Sequence, residues 1–139
     1  MSVIVKDTGF NTEDWADGFI SVEDLAANDG AANLALDVPS DFDPKDIEAR
    51  LAEIDLIRVN FPSSADGRGF TIAKRLRLMG FAGRLRAKGH VISDQYAMAR
   101  RSGFDEVEIS DELATRQPAE EWAFRANWQD HDYQSRVRA

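Results

Sequence analysis

The sequence predicts an α/β domain: four consecutive βα units forming a mainly parallel, half-barrel-like sheet with helices on one face, plus an N-terminal strand-containing segment. Three observations predict it. From Asn33 onward, short β-type runs alternate with amphipathic helical stretches. Within those runs apolar and charged side chains alternate, so that each strand has one apolar and one polar face. The chain of 139 residues, 43% of them hydrophobic, suits a single domain with one core.

The elements follow in order. Leu34 to Val38 reads as the first strand of the repeat. Asp43 is placed to cap a helix, with Pro44 at its first position, Asp46 in its first turn, and Ile47, Leu51 and Ile54 at helical spacing. Asp55 to Phe61 is the second strand, ended by Pro62, and a loop from Ser63 to Gly69 leads into a second helix. Ile72, Leu76 and Met79 form the buried stripe of that helix, and Gly80 is its C-terminal stop. Gly83 to Gly89 is the third strand, followed by a helix capped by Ser93 and stopped at Gly103. Glu106 to Ser110 is the fourth strand, and a last helix begins near Pro118 and carries Trp122, Phe124 and Trp128. Successive βα units of this kind imply parallel pairing with right-handed crossovers. Before them, Val3–Val5 and Phe19–Val22 read as strands that form an antiparallel edge or a lid. The expected organisation is one domain over 1–139: an edge or lid segment at 1–30, a βα core at 33–128 and a polar tail at 129–139.

The strand faces carry the functional information. Leu34, Leu36, Val38, Ile57, Val59, Phe61, Leu85, Ala87, Val107 and Ile109 make one face apolar. The opposite face holds Asp37, Arg58, Asn60, Arg84, Arg86, Glu106 and Glu108. Parallel sheets covered on both sides read as continuous apolar runs. A charged second face therefore has to be closed by the N-terminal segment, by a second copy of the chain or by a different protein, or else serve a ligand. A network of mutually neutralising ion pairs is the alternative.

Charge is distributed unevenly. Residues 1–50 carry twelve acids and three bases (−9), residues 51–105 five acids and ten bases (+5), and residues 106–139 eight acids and four bases (−4), for a net charge of −8. This is either intramolecular compensation or a docking or anion-binding face in the middle. Net acidity argues against a nucleic-acid partner. No apolar run approaches the roughly 20 residues that span a bilayer, and Met1–Phe10 does not read as a secretory signal, so a cytoplasmic location without membrane association is expected. Cysteine is absent and only His90 and His131 supply imidazole. The sequence therefore offers no set of metal ligands, and no tightly bound cofactor is expected.

Ligands of α/β units sit beyond the carboxyl ends of the strands. Here that edge includes Asp37, Asn60, Asp66, Gly67, Arg68, Gly69, Gly89, His90 and Asp94. Asp66-Gly67-Arg68-Gly69 enters a helix, whose first N–H groups together with Arg68 could cradle a phosphate, sulfate or sulfite-like anion, with Arg86 and Arg58 nearby on the sheet face. The alternative is a glycine-permitted turn pinned by Asp66 and Arg68. His90 is the one candidate for acid–base catalysis, or else polar surface, and Asp94 is a further binding candidate or a helix-dipole residue.

Asp66-Gly67-Arg68-Gly69-Phe70-Thr71, Leu76-Arg77, Gly80-Phe81, Leu85-Arg86-Ala87, Asp94-Gln95 and Arg101-Ser102-Gly103-Phe104-Asp105 together resemble a bacterial family of unknown function. Its members are described as oxidoreductases of sulfite reduction, with genes often beside those for sulfite reductase and sulfate assimilation. The resemblance is specific over Asn60–Asp105 and extends from Trp15 to Tyr133-Gln134. It implies a role in sulfur assimilation but supplies no catalytic residues. Ser102 stands where many relatives have a cysteine, which speaks against a thiol mechanism in this chain. Sulfite reduction moves six electrons through cofactors for which the sequence offers no ligands. The resulting expectation is an accessory protein that acts with sulfite reductase or a related sulfur-assimilation protein. The alternatives are an enzyme or sensor of a small anion (sulfate, sulfite or a phosphate group) and a structural homodimer.

Overall fold

The computed structural model of the chain describes residues 2–15, 17–28, 33–63, 66–91 and 93–125. Six strands form one sheet: β1 (Ser2–Lys6), β2 (Gly9–Asn11), β3 (Ala35–Val38), β4 (Leu56–Phe61), β5 (Arg84–Gly89) and β6 (Glu106–Ser110), in the order β2-β1-β6-β5-β4-β3. β3 to β6 pair in parallel, each beside the next in the chain. β1 pairs antiparallel with β6 and with β2, so the N-terminal strands extend the sheet at one edge. No helix of the described residues is long and apolar enough to cross a membrane.

The helices are α1 (Arg68–Leu78), α2 (Tyr96–Ser102), α3 (Asp111–Arg116) and α4 (Ala119–Arg125). Between β3 and β4 the connection is a ten-residue 3-10 helix, Pro44–Glu53, started as expected by Asp43, whose carboxylate accepts from the Lys45 N–H. α1 ends as the glycine foretells: Gly80 has φ +99°, its N–H donates to the Arg77 carbonyl, and the Phe81 N–H donates to that of Leu76. This crossed pair satisfies two carbonyls that the helix end would leave open. The apolar strand face packs as one core with Ile47 and Leu51 of the 3-10 helix, Ile72, Ala73 and Leu76 of α1, and Tyr96 and Ala99 of α2. Trp122 joins this core at 1% exposure, edge-on to Tyr96, its indole N–H donating to the Gln117 carbonyl. The side chain of Phe124 and all of Trp128 and the tail lie outside the described residues.

Three local expectations change. Phe19–Val22 is not a strand: only Ile20 bridges Leu36, and a 3-10 helix, Val22–Asn28, follows. Its acidic start, Glu23 and Asp24, favours a helical first turn over continued pairing. Ser93 does not cap α2. It is buried in a short 3-10 turn, Ser93–Gln95, where its N–H donates to the Gln117 side chain. α3 was not foreseen; the Ser110 hydroxyl accepts from the Leu113 N–H, and Asp111 and Glu112 occupy its first turn.

Candidate functional site

The charged sheet face is covered, and the cover is the N-terminal segment. After β2 the chain leaves one edge of the sheet and reaches the other at Ile20, whose N–H donates to the Ala35 carbonyl and whose carbonyl accepts from the Asp37 N–H. On the way it touches β5 and then β4. Glu13 pairs end-on with Nη1 and Nη2 of Arg86 at 2.6 and 2.9 Å, Asp14 accepts from Arg84 at 2.8 Å, and the Phe19 ring centroid lies 3.7 Å from the Arg58 guanidinium carbon. Residues 12–15 and 17–20 thus strap the face, and Ile20 also protects the β3 edge.

Register explains the network beneath the strap. Asp37, Arg58, Arg86 and Glu106 are consecutive Cα partners across β3, β4, β5 and β6, so their side chains share one face. Arg58 donates to Asp37 at 2.8 Å and to Glu108 at 3.2 Å. Arg86 donates to Glu106 at 2.6 Å and to the same Glu108 oxygen at 2.9 Å. Arg84 donates twice to Glu106 at 2.8 Å. Arg86 is fully buried, and Glu106 and Glu108 nearly so. Burial opposes the charge on Arg86, but its hydrogen bonds to Glu13 and Glu106 outweigh that and hold its pKa above the ordinary value. Burial raises Glu13, yet the Arg86 and Trp15 N–H bonds leave it below the usual carboxylate range; the Arg84 bond does the same for Asp14.

The uneven charge is therefore compensated within the chain. Acids of the first fifty residues meet bases of the middle: Asp7 with Arg100, Glu13 with Arg86, Asp14 with Arg84, Asp37 with Arg58 and Asp43 with Arg75.

The Asp66–Gly69 loop stands apart from this network. Arg68 turns back on Asp66 through Nε and Nη2, at 2.9 and 2.8 Å, and Nη2 also donates to the Ser40 hydroxyl. The same carboxylate accepts from the Arg68 N–H, the first of α1. The Arg68 side-chain and backbone hydrogen bonds hold the Asp66 carboxyl well below the usual range. The chain's own carboxylate thus engages Arg68 and the first N–H of α1, two of the groups considered for an external anion. Gly67 takes the N-cap position without a side-chain cap. Gly69 answers to packing: a Cβ there would lie 2.3 Å from the Phe61 ring.

Of the expected site residues, Arg58 and Arg86 come together through Glu108, while the hydrogen-bond partners given for Arg68 are Asp66 and Ser40. Loop and face are two clusters, because Arg68 spends its fork on its own loop. Asn60 donates to Asp37 and to the Val38 carbonyl. His90 is exposed, its backbone N–H donating to the Phe61 carbonyl, and Asp94 is exposed in the Ser93–Gln95 turn. Ser102 donates to the Met98 carbonyl one turn back.

Sequence reasoning missed Glu13, Asp14 and Phe19, and it missed a cleft at the amino ends of β4–β6. This open cleft of about 700 Å³ is lined by Asp55, Arg77, Arg84, Arg100 and Asp105, among others. Arg77 is spent on the Phe81, Gly83 and Gly103 carbonyls and on Asp105, tying the end of α1 to the strand starts.

The comparison with curated proteins finds no match. The sequence model of a family described as "Bacterial protein of unknown function (DUF934)" matches residues 35–139, starting at the first residue of β3 and leaving β1, β2 and the strap outside the matched part. That match spans well over half of the chain, and the protein belongs to this bacterial family.

Proposed function

We propose that the chain is a cytoplasmic accessory protein of assimilatory sulfite and sulfate reduction, which works by docking to the sulfite-reducing enzyme and brings no redox centre of its own. The observation that carries the docking part is the engagement of the expected anion-binding arginines. Arg58, Arg84 and Arg86 are held by carboxylates of the sheet and strap, and Arg68 is held by Asp66. Groups engaged in this way are not free to grip a small substrate, which favours a role in docking over one in chemistry. The link to sulfur assimilation comes from the sequence resemblance over Asn60–Asp105.

Co-purification tests this reading. The tagged full-length chain is isolated from its native host under sulfur starvation. Enrichment of a sulfite reductase subunit, with slower growth of a deletion strain on sulfate but not on cysteine, is the expected outcome. No enriched subunit and unchanged growth on sulfate would refute it.

The cleft lined by Arg77, Arg84 and Arg100 favours a second reading, a sensor or enzyme for a small anion. Thermal shifts with sulfite, sulfate, phosphate, adenylyl sulfate and flavin separate the two. Stabilisation lost in Arg84→Gln supports the second reading, and no shift with any of them removes it.

A further inference from the structure

We propose that the arginines under the strap, Arg58, Arg84 and Arg86, form a binding site for an acidic–aromatic segment of a partner protein, and that Glu13, Asp14 and Phe19 occupy that site in cis as an internal competitor. The inference rests on the docking reading above and names the chemistry of the docked segment.

The strap shows what the site accepts. The sheet supplies Glu106 to Arg86 Nε and Glu108 to Nη1, while the Nη2 partners are strap carboxylates: Glu13 at 2.9 Å and Asp14 at 3.6 Å. The outer end of the guanidinium, Nη1 and Nη2, thus takes the Glu13 carboxylate end-on through two parallel hydrogen bonds, a bidentate geometry that arginine's planar fork favours. Arg84 Nη2 meets the neighbouring carboxylate, Asp14. One strand over, the flat face of Arg58 carries Phe19, whose ring centroid is also 5.7 Å from Arg86. Two adjacent carboxylates followed by an aromatic, laid across two strands about 5 Å apart, describe a peptide rather than a small anion.

The cover is built to be exchanged. Glu13, Asp14 and Phe19 meet the sheet through side chains, Asp14 also pairing with Lys6 of β1 at 3.5 Å, and backbone hydrogen bonding to the sheet is found at Ile20. Glu13 and Asp14 keep 33% and 49% of their side-chain surface exposed although Arg86 is fully buried. The strap also holds its own shape. The Trp15 N–H donates to Glu13, its indole N–H donates to the Gly18 carbonyl, and Gly18 turns the chain at φ +75°. A segment joined to its site through a short tether competes at millimolar effective concentration. A partner segment has to carry the same groups to displace it.

The test uses the full-length chain and a fluorescein-labelled synthetic peptide with the sequence of residues 11–21, read by anisotropy. Glu13→Gln/Asp14→Asn and, separately, Phe19→Ala weaken the internal competitor while leaving the site arginines in place. The expected result is peptide binding at least tenfold tighter to both variants than to the unaltered chain. A peptide with Gln, Asn and Ala at the positions of Glu13, Asp14 and Phe19 should not bind. If the double variant fails to give a cooperative melt, Phe19→Ala carries the same readout. Equal affinity of variant and unaltered chains, or equal binding of both peptides, would overturn the proposal. The assay contains no sulfite-reducing enzyme, so its failure leaves the docking reading standing, and failed co-purification leaves the peptide site standing.

Discussion

Arg86 on β5 and Glu13 on the strap form an end-on bidentate pair at 2.6 and 2.9 Å across 73 residues of sequence. This pair ties the antiparallel N-terminal extension to the middle of the parallel sheet. The same guanidinium holds Glu106 and Glu108 from the inner side. It therefore decides both the stability of the face and the closure of the strap.

Losing either partner of this pair should cost very different amounts. Arg86→Met leaves Glu106 and Glu108 buried without their common cation, and removing one partner of a buried ion pair typically costs about 3–5 kcal/mol. Glu13→Gln keeps a hydrogen-bonding group, and Arg86 keeps its two sheet carboxylates, so about 1 kcal/mol is expected for this half-exposed partner. Urea unfolding of the two variants measures the difference.

Acid should loosen the strap before it unfolds the sheet. Glu13 and Asp14 both have folded pKa values below their ordinary ones. The unfolded chain therefore binds more protons in that window. The stabilisation is fully present above the ordinary carboxylate values and is lost as pH falls through the lowered ones. The melting temperature should drop below about pH 5, and the drop should be shallower in Glu13→Gln/Asp14→Asn.

At the signature loop, packing outweighs charge. A Cβ on Gly69 meets the Phe61 ring at 2.3 Å, and that ring is wedged against Phe70 and Phe104. Gly69→Ala should cost about 1–3 kcal/mol by overpacking. Arg68, 60% exposed, should tolerate Ala with a much smaller fall in melting temperature than Gly69→Ala causes. Thermal melts of the two variants check the order.

The carboxylate of Asp66 sits where an anion would, so sulfate should gain a foothold only when it is removed. In Asp66→Ala, tens of millimolar sulfate should raise the melting temperature, while the unaltered chain shows no Arg68-dependent shift. A differential scan with sodium chloride at matched ionic strength is the control.

The parts legible in the sequence are those governed by local rules. β6 runs from Glu106 to Ser110 as the alternation of its residues foretells, and Pro62, Gly80 and Gly103 mark element ends as their backbone constraints require. The apolar and charged strand faces separate as their period of two dictates. The N-terminal segment was legible as one of several possible covers of the charged face, but the residues by which it straps that face were not, because nothing local produces their contacts. Its contacts join Glu13 to Arg86 and Phe19 to Arg58, and its backbone has no periodic pattern. A further trace was the −9 of the first fifty residues against the +5 of the middle, which the ion pairs explain after the fact. The packing role of Gly69 against the Phe61 ring follows from how α1 packs on β4, which spacing alone does not reveal.

Hydrogen–deuterium exchange of the purified chain, with and without the purified sulfite-reducing enzyme of its host, tests docking through the strapped face most directly. The expected result is faster exchange in residues 12–20 as the strap is displaced, with slower exchange in β4 and β5 beneath it. Unchanged exchange across these segments at saturating enzyme would contradict it.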